Sequence, residues 1–397
     1  MSTPPSTTAS DGGRTSPLRA PSFPDARAGA TGREIAQQPQ VWRRVAADLA
    51  ARRASVEGFL APLLALADLR IVLTGAGTSA FAGQLLAPAL TARLHRRVEA
   101  VATTDIVSNP REAFAEDVPT LLVSFARSGD SPESVAATVL ADQSLHAVHH
   151  LIVTCNADGE LARVHGRAER SHVLLMPPET NDEGFAMTSS FTSMVLATWL
   201  ALAPDARDAE LVDRLAEAGA AVLRDRAEAV AELAARRYRR IVYLGSGPLA
   251  ALARESALKV LELSAGTVVS YFDSSLGFRH GPKSVIDGQS LAIVYLSNDP
   301  YTRRYDEDIA AELRQQMSDD NVLVVDARPS SHLGNEWTVP GLEDAPDALV
   351  ALPFLVVAQL FALDTSLALG LTPDSPSPSG QVNRVVKGVT VHPYVGR

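Results

Sequence analysis

The sequence predicts an α/β chain of two tandem doubly wound domains, each a mainly parallel sheet flanked by helices. Three observations lead there. From Leu69 onward, short apolar runs alternate with helical segments, the pattern of parallel strands joined by helical crossovers and covered on both faces. That pattern gives way to an Ala-rich helical stretch over residues 205–237 and restarts at Arg240. The first strand of each half then ends in one layout: Ile71-Val72-Leu73-Thr74-Gly75-Ala76-Gly77-Thr78-Ser79-Ala80 and Ile241-Val242-Tyr243-Leu244-Gly245-Ser246-Gly247-Pro248-Leu249-Ala250. Each is a strand, a Gly-x-Gly turn and a helix start, which suggests a duplicated plan.

Taken in chain order, residues 1–32 are rich in Ser, Thr, Pro, Gly and Ala without an apolar run. They are expected to form a disordered tail, not a secretory signal, so a cytoplasmic location is expected. Residues 33–204 should hold one or two helices and the first domain. The helical part, residues 35–66, places Trp42, Val45, Leu49, Val56, Leu60 and Leu63 mostly three or four apart. Strands are expected at residues 70–74, 98–103, 120–124, 150–154 and 172–176. Residues 205–370 should hold a connector helix and the second domain, with strands at 240–244, 268–271, 291–296 and 322–326. Residues 371–397 form a Pro/Ser-rich stretch followed by Asn383, Arg384, Lys387 and His392, a tail expected to fold back and close a site.

Composition narrows the function. With 397 residues, 46% hydrophobic and 21% charged, the chain can bury a sizeable core. A formal charge of −10 argues against a nucleic-acid surface, so any phosphate must be caught locally. The longest apolar stretch, residues 348–363, is broken by Pro353 and Gln359 and falls short of the roughly 18 residues of a membrane span. Cys155 is the only cysteine, which excludes an internal disulfide and a multi-Cys zinc site. It reads as a small buried apolar residue ending a strand.

Two turns carry candidate phosphate chemistry. At Gly77, Thr78 and Ser79 a helix starts, where backbone N–H groups and the helix dipole favour an anion; a tight turn with a serine cap accounts for the same residues equally well. After the third strand comes Ser124-Phe125-Ala126-Arg127-Ser128-Gly129-Asp130-Ser131-Pro132-Glu133-Ser134. Ser131 as N-cap and Pro132 at the first helical position explain part of it. Arg127, Ser128 and Gly129 lie outside that explanation, and hydroxyls at the carboxyl end of a strand form a phosphate cradle. A dinucleotide site competes, since Gly75-x-Gly77-x-x-Ala80 and Gly245-x-Gly247-x-x-Ala250 resemble its glycine fingerprint and Glu99 and Asp105 lie near the ribose distance. Two fingerprints beside a hydroxyl-rich loop fit monophosphate-scale turns better, so no metal, nucleotide or redox cofactor is expected.

In the second half, Glu255, Lys259 and Glu262 fall at i, i+4 and i+7 on one helical face. Taken alone, they read as a solvated charge ladder. The loop that follows changes the weighting: Phe272-Asp273-Ser274-Ser275-Leu276-Gly277-Phe278-Arg279-His280-Gly281-Pro282-Lys283 holds Gly, Pro, Arg, His and Lys together. A histidine fixed in such a loop is suited to proton transfer.

At these residues the sequence resembles the sugar isomerase (SIS) domain family, in the two-domain arrangement of the isomerase half of glucosamine-6-phosphate synthase. Gly77-Thr78-Ser79, Arg127-Ser128-Gly129-Asp130-Ser131, Ala257-Leu258-Lys259-Val260-Leu261-Glu262 and His280-Gly281-Pro282 match in order from about Arg33 onward. Within the family it is most similar to the AgaS branch of galactosamine-6-phosphate deaminase/isomerases, through residues 277–283, Pro300-Tyr301-Thr302-Arg303 and residues 378–386.

The resemblance implies that Glu262 moves a proton between C1 and C2, that His280 opens the sugar ring, and that Lys387 is an active-site lysine. It places Ser79, Ser128 and Ser131 on phosphate-binding positions, with Thr78 beside them. Lys259 or Lys387 would act by charge or through a transient Schiff base. It further implies conversion of galactosamine 6-phosphate to tagatose 6-phosphate and ammonia in a homodimer or higher homo-oligomer whose histidine reaches the partner's site. The alternatives are aldose–ketose isomerisation without deamination and a non-catalytic sugar-phosphate-sensing module. Ala126 and Arg127 depart from a Ser-Gln pair of the synthase, the spacing from Glu262 to His280 is longer, and the glutamine-hydrolysing domain is absent, all of which disfavour amide-nitrogen transfer.

Overall fold

The computed structural model describes residues 28–329, 334–377, 383–386 and 388–395. Two helices open it, α1 (Gly29–Ala51) and α2 (Arg53–Leu64), with the break at Arg52. The first half continues β1 (Arg70–Thr74), α3 (Thr78–Leu94), β2 (Val98–Ala100), α4 (Thr103–Ser108), α5 (Pro110–Ala113), β3 (Thr120–Ala126), α6 (Pro132–Ser144), β4 (Val148–Thr154), α7 (Glu160–His165), β5 (Ser171–Leu175) and α8 (Ser189–Leu202). The Ala-rich connector is two helices, α9 (Asp208–Asp225) and α10 (Ala227–Ala235), parted at Arg226. The second half holds β6 (Arg240–Gly245), α11 (Pro248–Leu263), β7 (Val269–Ser274), β8 (Ser290–Tyr295), α12 (Thr302–Arg314), β9 (Val322–Asp326), β10 (Glu336–Thr338) and α13 (Asp347–Ala368).

Both sheets are wholly parallel. Their orders, β2-β1-β3-β4-β5 and β7-β6-β8-β9-β10, are one topology used twice. This is the flavodoxin-like doubly wound order, in which ligands bind at the carboxyl ends of the strands where the winding reverses. Here the reversal falls between β1 and β3, and again between β6 and β8.

Strand alternation builds the layers, because successive side chains point to opposite faces. Ile71, Leu73, Leu121 and Val123 of the first sheet and Ile241, Tyr243, Leu291 and Ile293 of the second belong to one continuous core, which also holds α1, α3, α8, α9, α11 and α13. The intervening residues face outward: Val72 and Leu122 pack with Ile106 and Ala137, while Val242 and Val294 pack with Phe278, Ile309 and Leu313. Helix α13 is the one described helix long and apolar enough to cross a membrane, and almost all of it is buried against α9, α10 and α11 as core. Trp42 of α1 sits so close to α9 that a Cβ on Gly219 would lie 2.8 Å from its ring.

Several expectations shift. Residues 1–27 of the expected tail lie outside the described residues, but residues 28–32 belong to α1 and the turn before it. Their order comes from far away, as the Asp374 carboxylate accepts hydrogen bonds from Ala30 N and Thr31 N, each 2.8 Å, and from Thr31 Oγ1 at 2.7 Å. Strand β2 ends at Ala100, since Thr103 already starts α4. The short edge strand β10 carries too little pattern to be seen in the sequence. Cys155 is buried just after β4, and burial pushes its thiol up to about 12.

Candidate active site

The site begins at the reversal point of the first sheet. After β1 the chain turns on Gly77, at φ +55°, a region open to glycine. Gly75 is needed for a different reason: a Cβ there would lie 2.6 Å from Ser79 Cβ. The turn delivers Thr78 and Ser79, both buried, to the start of α3.

Beside it, the chain leaving β3 is locked to the β4–α7 connection. Gly129 adopts φ +74°, and a Cβ on Gly159 would sit 2.3 Å from the Ser128 carbonyl oxygen. Asn156 Nδ2 donates to that carbonyl at 2.8 Å, and Glu160 N donates to Asp130 Oδ1 at 2.9 Å. Ser131 is the N-cap residue of α6 with Pro132 following, as expected, but its hydroxyl makes no capping hydrogen bond. Ser128 and Ser131 are half-buried.

Arg127 does not extend toward this loop. It is buried, and its guanidinium donates to the carbonyls of Gly184 and Phe185 at 3.2 Å and of Arg384 at 2.7 Å. Burial and the neighbouring Arg384 charge hold its pKa below the usual arginine value. Arg384 in turn donates to Asn181 Oδ1 at 2.9 Å and to the Asp182 carbonyl at 2.8 Å. The same loop hangs on two buried carboxylates that no sequence motif marks. Asp182 accepts from Thr188 N and Ser190 N at 2.7 and 2.9 Å, and Glu34 Oε1 accepts from Glu183 N at 2.5 Å. The run 179–186 lacked any periodic pattern, which was the only signal that it needed outside support.

Helix α11 crosses from the second half and packs against α3. That contact brings the Glu255, Lys259 and Glu262 face onto Thr78. Lys259 Nζ lies 3.0 Å from Thr78 Oγ1, 3.3 Å from Glu255 Oε1 and 2.6 Å from Glu262 Oε2. The solvated-ladder reading is therefore wrong: the side chains of Lys259 and Glu255 are fully buried, and only that of Glu262, at 23%, keeps an opening to solvent. Burial raises the Glu255 carboxyl from 4.5 to about 7, more than Lys259 and Thr78 can offset. Its Oε2 is buried and has no hydrogen-bond partner among the described residues. Burial also works against the Lys259 ammonium, but the two carboxylates outweigh it and hold its pKa above the usual value.

The sign of the Glu255 effect on stability follows. A carboxyl that protonates more readily when folded stabilises fully below about pH 4.5, and the contribution is lost as pH rises through about 7. Glu255→Gln cannot titrate, so the stability of the native protein relative to this variant is expected to fall between about pH 5 and 8. Comparing the two by thermal melts cancels the opposite contribution of His165, whose pKa burial lowers to about 4. A gap independent of pH would remove Glu255 from that role.

His280 lies on the segment after edge strand β7 and is exposed. Its flanks are pinned: Arg279 Nε donates to Glu312 Oε2 at 2.7 Å, and Lys283 Nζ pairs with the other oxygen of Glu312. Among the described residues no hydrogen bond or ion pair joins the His280 ring to Glu262 within the chain. Lys387 lies outside the described residues. A cavity of about 410 Å³ opens between α1, α2, α8 and α9, lined by Leu49, Val56, Leu200 and Val212 among others, and none of the expected site residues among those described lines it.

The chain is similar to known proteins over nearly its whole length. An AgaS protein of Streptomyces coelicolor is 60% identical over 368 residues, 91% of this chain and 95% of that protein. The D-galactosamine-6-phosphate deaminase AgaS of Escherichia coli is 46% identical over 369 residues, covering 92% and 96%. Among solved structures, tagatose-6-phosphate ketose/aldose isomerase from Escherichia coli superimposes with a TM-score of 0.86 at 42% identity, covering 94% of this chain and 99% of that one. The SIS domain matches twice, at residues 63–204 and 235–369, one match on each sheet. The chain belongs to the SIS domain family.

Proposed function

We propose that the protein is a deaminating isomerase that converts galactosamine 6-phosphate to tagatose 6-phosphate and ammonia. The observation that carries this reading is the buried Lys259 ammonium held between Glu255 and Glu262 beside the Gly77–Ser79 turn. Relatives with the deaminase name, at 46% identity over most of the chain, support it.

The phosphate sits in the cradle of Gly77, Thr78, Ser79, Ser128, Gly129 and Ser131, while Arg127 shapes the cradle through the carbonyls it holds. His280 opens the ring. Glu262 takes the proton from C2 of the open-chain aldehyde, leaving a 1,2-enaminolate, and returns it to C1, while O1 takes up a proton and the C2 amine gives one up. The product is an imine at C2; water adds there, ammonia leaves and the ketose remains. Lys259, charged and clamped between carboxylates, stabilises the negative charge that develops on O1 and does not form a Schiff base. Lys387, outside the described residues, is the C-terminal lysine that the resemblance assigns to the site. The segment 205–370 supplies the α11 face and 33–204 the phosphate cradle.

Incubating the protein separately with galactosamine 6-phosphate, glucosamine 6-phosphate and tagatose 6-phosphate tests the reading. Ammonia released from galactosamine 6-phosphate together with tagatose 6-phosphate is expected. Interconversion of tagatose 6-phosphate with an aldose phosphate, without ammonia from either amino sugar, would instead favour plain isomerisation, the activity in the name of a solved relative.

Phosphate contacts change little during proton transfer, so Ser79→Ala and Ser128→Ala are expected to raise KM more than they lower kcat. An unchanged KM in both variants would count against the cradle. The exposed His280 fits a homodimer in which each histidine serves the partner's site, in the cytoplasm. Mixing inactive Glu262→Gln subunits with inactive His280→Ala subunits is then expected to restore activity. Mixed dimers verified by mass but without recovery would place both groups in one subunit's site.

A further inference from the structure

The second half repeats the first half's turn without repeating its hydroxyls. Gly247 has φ +55° and ψ −127°, against +55° and −128° for Gly77. A Cβ on Gly245 would lie 2.7 Å from the Leu249 carbonyl, the same crowding that fixes Gly75 against Ser79. Where the first turn continues into Thr78 and Ser79, the second continues into Pro248 and Leu249, which supply no hydroxyl, and Pro248 has no N–H.

Other donors converge on this second reversal point, and they meet a side chain of the protein itself. Asp306 projects from α12 and is fully buried. Ser246 Oγ, from the turn after β6, donates to its Oδ1 at 2.5 Å, and Ser275 Oγ, from just after β7, donates to the same oxygen. Ser297 N, past the end of β8, donates to Oδ2 at 3.1 Å. Each of the three strands that meet at the reversal point thus sends one donor from its carboxyl end to a single carboxylate. Among the described residues no Lys, Arg or His forms an ion pair with it.

We propose that Asp306 is a built-in anion: its carboxylate occupies, in the second half, the place that the sugar phosphate takes in the first. The second cradle is closed, and each chain holds one sugar phosphate. The proposal rests on the phosphate-cradle reading of the first half. Burial raises the Asp306 carboxyl to about 6, and hydroxyls of Ser246 and Ser275 pull it back, so near neutral pH the carboxylate is held by neutral donors alone, as a bound oxyanion would be. Cutting the side chain back to Ala leaves those donors facing a space of carboxylate size, and formate is the group removed.

The experiment compares wild type, Asp306→Ala and the near-isosteric Asp306→Asn by thermal melting at neutral pH, in sodium formate and in sodium chloride of equal ionic strength. Saturable stabilisation of Asp306→Ala by formate, a few degrees in Tm, is expected, with none in wild type or Asp306→Asn. Formate that stabilises Asp306→Ala no more than wild type would overturn the proposal. If Asp306→Ala is insoluble, Asp306→Ser carries the same comparison, and insolubility of both with formate present also overturns it. Repeating the melts in a Ser79→Ala, Ser128→Ala background separates the two readings. Formate rescue that persists there supports the closed second cradle whatever the first cradle binds, whereas sugar-phosphate binding unaffected by the two serines would sink only the first-half reading.

Discussion

Glu262→Gln is expected to lower the turnover of galactosamine 6-phosphate by at least about a hundredfold while leaving KM close to its native value. The substitution keeps the size and the hydrogen-bonding capacity next to Lys259 but removes the base. Of the three charged groups on the α11 face, only Glu262 has a side chain partly open to solvent, so it is the one placed to exchange a proton with the sugar, while the buried Lys259 acts on O1 through its charge. The measurement is twofold, ammonia release and exchange of a solvent proton at C1 of the sugar. Both should fall together, because one carboxylate is assigned both halves of the transfer. Near-normal exchange in the variant would move the proton to another group.

Lys259→Met is the second large effect, and it falls on stability as well as rate. The methionine fills a similar volume but leaves two carboxylates facing each other around a site from which the neutralising charge has gone. Removing one partner of a buried ion pair costs about 3–5 kcal/mol. Protonation of Glu255, already raised to about 7, is the cheapest relief. The loss is therefore expected to be greatest above pH 7 and smaller near pH 5, in chemical denaturation at the two pH values. Activity should be lost at both, since the charge that faces O1 is gone. A variant as stable as the native protein at pH 8 would show that Lys259 does not neutralise the pair.

The strands and the α11 face were legible because they depend on period. Val322 to Asp326 alternates inward and outward within one apolar run, and residues 255, 259 and 262 share a face on any helix. What period cannot say is whether a face is wet. The Glu255, Lys259 and Glu262 stripe has the sequence of a surface ladder, and it is buried because α3 from the other half lies against it. The destination of Arg127 was hidden for the same reason. Its position in a hydroxyl-rich loop suggests a phosphate ligand, while its guanidinium is taken up by the carbonyls of residues 184, 185 and 384, two of them 57 and 58 positions away and the third 257. Asp306 was invisible as well, since a charged residue in the charged helix α12 gives no sign of turning inward. Each of these depends on packing between segments distant in sequence, which no local pattern encodes.

The cap on α1 sets an order of events in the making of the protein. The carboxylate that receives the first amides of this helix is separated from Ala30 by 344 positions. Synthesis runs from the N-terminus, so this helix stays uncapped until Asp374 has been made. A cap of this kind contributes about 1 kcal/mol, too little to decide whether the helix forms, but enough to fix where it starts. The first of the described helices to leave the ribosome is in this way among the last of them to be finished, and a chain stopped short of residue 374 would leave its opening turn to fray.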